Sequence, residues 1–228
     1  MPSVFLSIYL NYISVFIYIC KKIEMNYLDF RKDNINRGCF NVHSLEASSQ
    51  AAISTNLSRW VKEGLLIKLR QGWYTFPERT VSFADRMYCA NNIYAPSYVS
   101  LFTALAYYEM IPESVNAITS VSTLKTSSFR SEAGLFCYST IKPALYFGYT
   151  PVVDNRELPY LIASPEKALI DLLYLHPEYK TTDDVESLRL DDDFMSEEFN
   201  WEEAASILEK ISSVALTSRF SIIKQLYK

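Results

Sequence analysis

The chain has 228 residues, 49% of them hydrophobic and 21% charged, a composition that supports a packed core in one or two domains and argues against disorder. With 5 glycines and neither a GxGxxG nor a GxxxxGK[ST] pattern, it offers no glycine-rich loop for cradling phosphates. The net charge of −4 is unevenly spread: Met25 to Thr80 carry eight basic and five acidic side chains, whereas Val81 to Lys228 carry twelve and twenty. A small basic module therefore precedes a larger acidic one, a division compatible with nucleic acid on one side and a basic protein partner on the other.

Residues 1–24 are apolar up to Cys20 and then carry Lys21-Lys22. Three readings stand. The segment is long enough for a membrane anchor. A signal peptide lacks its basic start and small-residue cleavage site. A non-native extension before a start at Met25 is favoured, because Met25-Asn26-Tyr27-Leu28-Asp29-Phe30 opens an amphipathic helix. The cysteines Cys20, Cys39, Cys89 and Cys137 are widely spaced with no CxxC pair, which fits free thiols in a reducing cytoplasm.

From Asn26 to Asn34 the pattern predicts a short helix with Tyr27, Leu28 and Phe30 turned inward, ended by Gly38. A one- to two-turn helix over His43–Ser48 follows, with Ser48-Ser49 as the turn. The next helix is capped by Ser49 or Ser54 and runs to Glu63 before Gly64, with Ile53, Leu57, Trp60 and Val61 on one face. Leu65 to Phe76 reads as a β-hairpin about the turn Arg70-Gln71-Gly72. Beyond it we expect a helix over Val81–Asn92, a helix over Tyr98–Met110, and strands over Ala117–Thr123, Leu135–Ser139 and Leu145–Tyr149. Ser164-Pro165 caps a helix over Pro165–Leu175, and helices over Asp183–Leu190, Trp201–Ser213 and Ser218–Tyr227 close the chain.

The expected fold class is α+β: a winged helix-turn-helix over residues 25–80, then a mixed α+β interaction domain over 81–228 with a helical C-terminal part. Three short helices and a hairpin within about 50 residues are the winged plan. Its recognition helix, Ser54–Glu63, would offer Ser54, Thr55, Asn56, Ser58, Arg59 and Lys62 to base edges and phosphates. The hairpin would bring Lys68, Arg70 and Gln71 to the backbone or minor groove, with Trp73 and Tyr74 as packing. The competing reading is a winged-helix adaptor that binds protein without DNA, its polar helix face merely solvated.

Five runs of the chain resemble the AbiEi antitoxin family: LSRWVKEGLLIKLRQGWYTF, YAPSYVSLFTALAYYEMIPE, AITSVSTLKTSSF, GLFCYSTIKPALYFGY and IASPEKALIDLLYL. Within them Pro96 to Leu101 and Ala163 to Leu169 are the more specific segments. The resemblance implies a transcriptional regulator of a type IV, abortive-infection toxin–antitoxin system. Such a protein represses its own operon through double-stranded promoter DNA and counters a nucleotidyltransferase-like toxin without a stable complex. It also implies basic contacts from the second domain, for which this chain has only Lys125 and Arg130 in the segment Thr123–Arg130. The apolar residues 1–24 lie outside the family pattern.

Nothing in the sequence assembles an active site, and no cofactor or metal is expected. His43 and His176 are far apart and no HExxH or GxSxG pattern occurs; His176 reads as a helix C-cap. Asp183-Asp184 and Asp191-Asp192-Asp193 lack EF-hand spacing and read as solvated acidic loops. Ser164 is a cap without a nearby base, and Glu166, Lys167 and Asp171 read as a surface pair network at i, i+4 spacing.

Overall fold

The computed structural model of the chain describes residues 26–45, 47–153 and 158–228, and the chain divides between Pro77 and Glu78 into two compact units. The expectations for residues 1–24 fall outside the described residues. Among the described residues, no helix is long and apolar enough to cross a membrane.

In the first unit, α1 (Tyr27–Asn34) starts on the side chain of Asn26, which accepts from the Leu28 N–H. Tyr27 is half-buried and Phe30 is buried, but Leu28 is 67% exposed. The expected inward turn of Leu28 fails because one helix face cannot hold positions 27, 28 and 30 together. A short strand β1 (Cys39–Asn41) and a single 3₁₀ turn (Val42–Ser44) follow, then α2 (Ala47–Lys62). The sequence pattern predicts a helix over His43–Ser48, a turn at Ser48-Ser49 and a new cap at Ser49 or Ser54. Instead one continuous helix covers these serines. Two serines without glycine or proline are too weak to break a segment containing Ala47, Ala51 and Ala52. Gly64 ends it at φ +70, where the Leu65 N–H reaches the Trp60 carbonyl at 2.8 Å.

The hairpin β2 (Ile67–Arg70) and β3 (Trp73–Thr75) joins β1 in a three-stranded antiparallel sheet of order β1-β3-β2. Phe30, Phe40, Leu45, Ile53, Leu57, Trp60, Leu66 and Phe76 form the core of this unit. Phe30 stacks on Trp60 with ring centres 5.1 Å apart and meets Phe40 edge-on at 5.3 Å, so α1, α2 and β1 share one aromatic contact.

The second unit, α+β like the chain as a whole, holds a six-stranded mixed sheet flanked by helices. α3 (Phe83–Ile93) is capped by Ser82. β4 (Ser97–Val99) turns sharply into α4 (Leu101–Tyr107), with Leu101 at φ +58. The helix expected from Tyr98 thus begins three residues later. Ser97, Tyr98 and Val99 are wholly buried between β5 (Ala117–Ser122) and β9 (Pro159–Ala163), and tertiary pairing overrides the local pattern. The sheet order is β6-β7-β5-β4-β9-β8, with β6 (Ser127–Ser131), β7 (Gly134–Thr140) and β8 (Tyr149–Val153). The sequence pattern gives no strand at β6, and where it predicts a strand at Leu145–Tyr149 a 3₁₀ turn (Pro143–Leu145) precedes β8.

From the N-cap Ser164, α5 (Pro165–Leu175) carries eight consecutive buried residues, Glu166 to Leu173. It lies against α4 on one side and, on the other, against α7 (Trp201–Ile211) and α8 (Val214–Tyr227). A five-residue helix α6 (Thr182–Glu186) opens on the reciprocal capping pair Thr181 and Asp184. His176 occupies the C-cap of α5, as its position before Pro177 suggested.

Candidate nucleic-acid interface

α2 is amphipathic for a simple geometric reason. At about 100° per residue, Ile53, Leu57 and Trp60 fall on one line, and all three are buried. Lys62 lies about 180° from Ile53, with Ser58 and Arg59 within about 60° of it. Ser58, Arg59 and Lys62 are exposed accordingly, whereas Asn56, at the flank of the apolar stripe, is half-buried. The side chains of Ser54 and Thr55 lie outside the described residues. Because α2 starts at Ala47, Ser54, Thr55 and Asn56 belong to its interior and not to its first turn. The expectation of a recognition helix that opens at Ser54 is therefore corrected: these small polar side chains do not stand at a helix N-terminus.

β2 alternates as a half-buried strand should, with Ile67 and Leu69 inside and Lys68 outside. The register runs Ile67 to Thr75, Lys68 to Tyr74 and Arg70 to Trp73, with an irregularity between Lys68 and Arg70. Gln71 is exposed in the two-residue turn, and Gly72 supplies its positive φ of +78. Arg70 is half-buried, so the turn presents Gln71 and Lys68 more fully than Arg70. Tyr74 stacks on Phe40 at 6.1 Å, and burial raises its phenol pKa, in keeping with a packing role.

The hairpin turn is held from the side by residues the sequence reading did not single out for it. The Val42 N–H donates to the Gly72 carbonyl at 2.9 Å, and the Asn41 side chain accepts from the His43 N–H at 2.9 Å. A Cβ on Gly72 would lie 3.6 Å from the imidazole of exposed His43. The available signal was Asn41 two residues before His43, the spacing of a side-chain-closed turn. Lys125 and Arg130 belong to the second unit, exposed in the β5–β6 connection and on β6.

The second unit also carries a polar constellation, of a different kind. Lys167 on α5 pairs with Asp171 one turn on, and its Nζ donates to the Tyr98 hydroxyl at 2.9 Å. The Asp171 carboxylate accepts from Tyr98 at 2.8 Å and from Ser100 at 2.9 Å. Lys167, Asp171, Tyr98 and Ser100 are all 1% exposed or less, and Glu166, at 5%, accepts from the Asn200 N–H at 3.0 Å. The expected surface network of Glu166, Lys167 and Asp171 is thus a buried one, because α5 is covered on both sides.

Burial pushes the Lys167 ammonium down and the Asp171 carboxyl up, while their mutual attraction and the two hydroxyls oppose it. Burial, reinforced by Asp171, raises the Tyr98 phenol far above its ordinary value. Perturbed groups of this sort mark candidate active sites. Here, though, every charged atom is satisfied from within, and the Lys167 stem lies against the Gly148 backbone. The arrangement fits a core ion pair and not a substrate site. Among the described residues, no group of three His, Cys, Asp or Glu side chains could hold a metal ion. No protein-family model matches the chain, and no curated protein matches it.

Proposed function

We propose that this chain is a DNA-binding transcriptional regulator whose first unit is a winged helix-turn-helix, with α2 as the recognition helix and the β2–β3 hairpin as the wing. The observation that carries the reading is the exposed cationic face of α2, Ser58, Arg59 and Lys62, set opposite a buried apolar stripe in a small module of positive net charge. Lys68 and Gln71 add exposed donors on the hairpin. Such groups suit phosphate oxygens and base edges. The middle helix of the winged plan is reduced to the single turn Val42–Ser44. The resemblance to AbiEi antitoxins extends the proposal: the regulator represses its own operon from the cytoplasm, and the acidic second unit counters a nucleotidyltransferase-like toxin. Lys125 and Arg130 are then accessory contacts.

The test is titration of the full chain against its own upstream DNA at several salt concentrations. Three phosphate contacts from Arg59, Lys62 and Lys68 give a slope of log K on log salt of about −2.7, or ~40-fold weaker binding between about 50 and 200 mM salt. Arg59→Ala and Lys62→Ala should each weaken binding and reduce the salt slope by about 1, as the loss of one phosphate contact requires. Affinity and slope unchanged in both variants would remove the recognition surface. Co-expression with the adjacent gene tests the antitoxin part separately.

A further inference from the structure

α7 and α8 form an antiparallel helical hairpin at the C-terminal end of the second unit. Their polarity is fixed by Lys228, at the end of α8, whose Nζ lies 5.7 Å above the ring of Trp201, the first residue of α7. The inner faces of the pair are accounted for: Ala204, Ile207 and Leu208 of α7 and Leu216, Phe220 and Ile223 of α8 are buried. Between the two helices, on the outer side, runs a groove of about 860 Å³. Its lining recurs at helical spacing, at positions 201, 205, 208 and 212 on α7 and at 214, 217, 221 and 224 on α8. Ala205, Thr217, Ser218 and Ser221 are exposed along it, and Val214 is 88% exposed at its closed end. Small exposed side chains over an apolar floor leave room for the ridge of another helix.

The charges along the walls say which helix. α7 opens with Glu202 and Glu203, both exposed, and carries Glu209 on the groove wall. α8 contains no acidic residue; its charges are Arg219 and the exposed Lys224, with Lys228 at its C-cap. We propose that this groove is a homodimer interface, in which the α7–α8 hairpins of two copies of the chain pack face to face as a four-helix bundle. With the two-fold axis along the hairpin, α8 of one copy lies over α7 of the other. Lys224 of each copy then meets Glu202, at the flank of its mate's groove about 60° round the helix from Ala205, and the pairing repeats itself across the axis. An α7 paired with an α7, or an α8 with an α8, would oppose like charges.

The helices of 11 and 14 residues are about 16 and 21 Å long, so the facing area is roughly half of the about 800 Å² per partner that stable interfaces bury. The dimer is accordingly weak on its own, with a dissociation constant on the order of 10–100 μM.

Sedimentation equilibrium of the full chain, without DNA and from micromolar to submillimolar loading, reads this directly. The wild type is expected to pass from monomer to dimer across that range. Ala205→Arg, at an exposed position that leaves the monomer fold intact by circular dichroism, should weaken association about tenfold or more. Lys224→Glu alone and Glu202→Lys alone should each stay monomeric, while an equimolar mixture of these two variants should form a heterodimer. A wild type monomeric at every concentration overturns the proposal, as does a dimer that Ala205→Arg leaves unchanged. A mixture that remains monomeric overturns it too. None of these readings depends on whether the first unit binds DNA.

Discussion

Replacing Asp171 should destabilise the second unit far more than replacing Lys167, although the two share one ion pair. The reason lies in how many groups each partner serves. Asp171 accepts from Lys167, from Tyr98 and from Ser100, whereas Lys167 donates to Asp171 and Tyr98. Asp171→Leu leaves an ammonium in a fully buried position, at a cost of about 3–5 kcal/mol. It also takes the acceptor from two buried hydroxyls, about 1–3 kcal/mol each. The total is comparable to the roughly 5–15 kcal/mol that holds a whole domain together. Lys167→Met, by contrast, leaves a carboxyl that keeps both hydroxyl donors and that burial already pushes towards its neutral form. Its cost should sit at the low end of the buried-pair range, about 3 kcal/mol. The double variant removes both charges and should be more stable than Asp171→Leu alone, a large non-additivity expected of groups in direct contact. Urea unfolding followed by circular dichroism measures all three. If Lys167→Met proves as costly as Asp171→Leu, or the double variant equals the sum of the singles, the assignment of Asp171 as the hub is wrong.

Two further outcomes follow from the same unit and its neighbour. Gly64 and Gly148 share a left-handed conformation, φ +70 and +75, but a Cβ at Gly64 meets nothing within 4 Å whereas one at Gly148 would lie 2.9 Å from the Lys167 Cγ. Both alanine variants lose about 1 kcal/mol to the backbone; Gly148→Ala should lose distinctly more in its own unit's thermal transition, since Lys167 is held at its far end, and equal losses would refute the contact. Burial, with Tyr107 and Glu166 nearby, pushes the Tyr108 phenol up to about 12, so the unfolded chain, with an ordinary tyrosine near 10, gives up its proton first. The Tyr108 contribution is complete below about pH 10 and declines as the pH climbs through about 12. Melting temperatures followed over that span should fall less steeply in Tyr108→Phe than in the wild type, and parallel curves would contradict the assignment.

Much of the fold could be read from local pattern. Gly64 and Gly72 punctuate α2 and the hairpin where glycine alone is comfortable. Ser164-Pro165 announces α5, and period-two alternation marks β2, β5 and β7. The failures have a common cause. Tyr98 and Val99 look helical beside Leu101–Tyr107 until β5 and β9 claim them as a strand. β6, Ser127-Ser128-Phe129-Arg130-Ser131, is a polar edge strand whose pairing with β7 leaves no hydrophobic signature in the sequence. The burial of Glu166, Lys167 and Asp171 is hinted at by the apolar neighbours Ala168, Leu169, Ile170, Leu172 and Leu173, which cover every side of the helix. A helix apolar on every side is a buried helix, and its charged residues must then be paired inside. On the candidate interface, sequence alone separated Arg59 and Lys62 from the core stripe correctly. It misjudged the start of α2, and so the setting of Ser54, Thr55 and Asn56.

The two segments on which the likeness to AbiEi antitoxins chiefly rests, Pro96 to Leu101 and Ala163 to Leu169, are distant in sequence but meet in space. Tyr98 and Ser100 come from the first, Lys167 from the second, and Asp171 one turn further along α5 ties them together. Their residue types are therefore accounted for by the needs of a buried ion pair. Tyrosine and serine supply hydroxyls to a carboxylate, and lysine supplies the balancing charge. Gly148 supplies the space beside that lysine. Such residues report how the second unit is built and carry little information about what it binds. The proposed DNA contacts come instead from exposed side chains of the first unit, which packing does not dictate. An exposed arginine or lysine aligned on one helix face is free to vary as far as the core is concerned. Substitution at Arg59 or Lys62 should accordingly leave stability within about 0.5 kcal/mol, and a loss of DNA affinity there would be a loss of contact and not of fold.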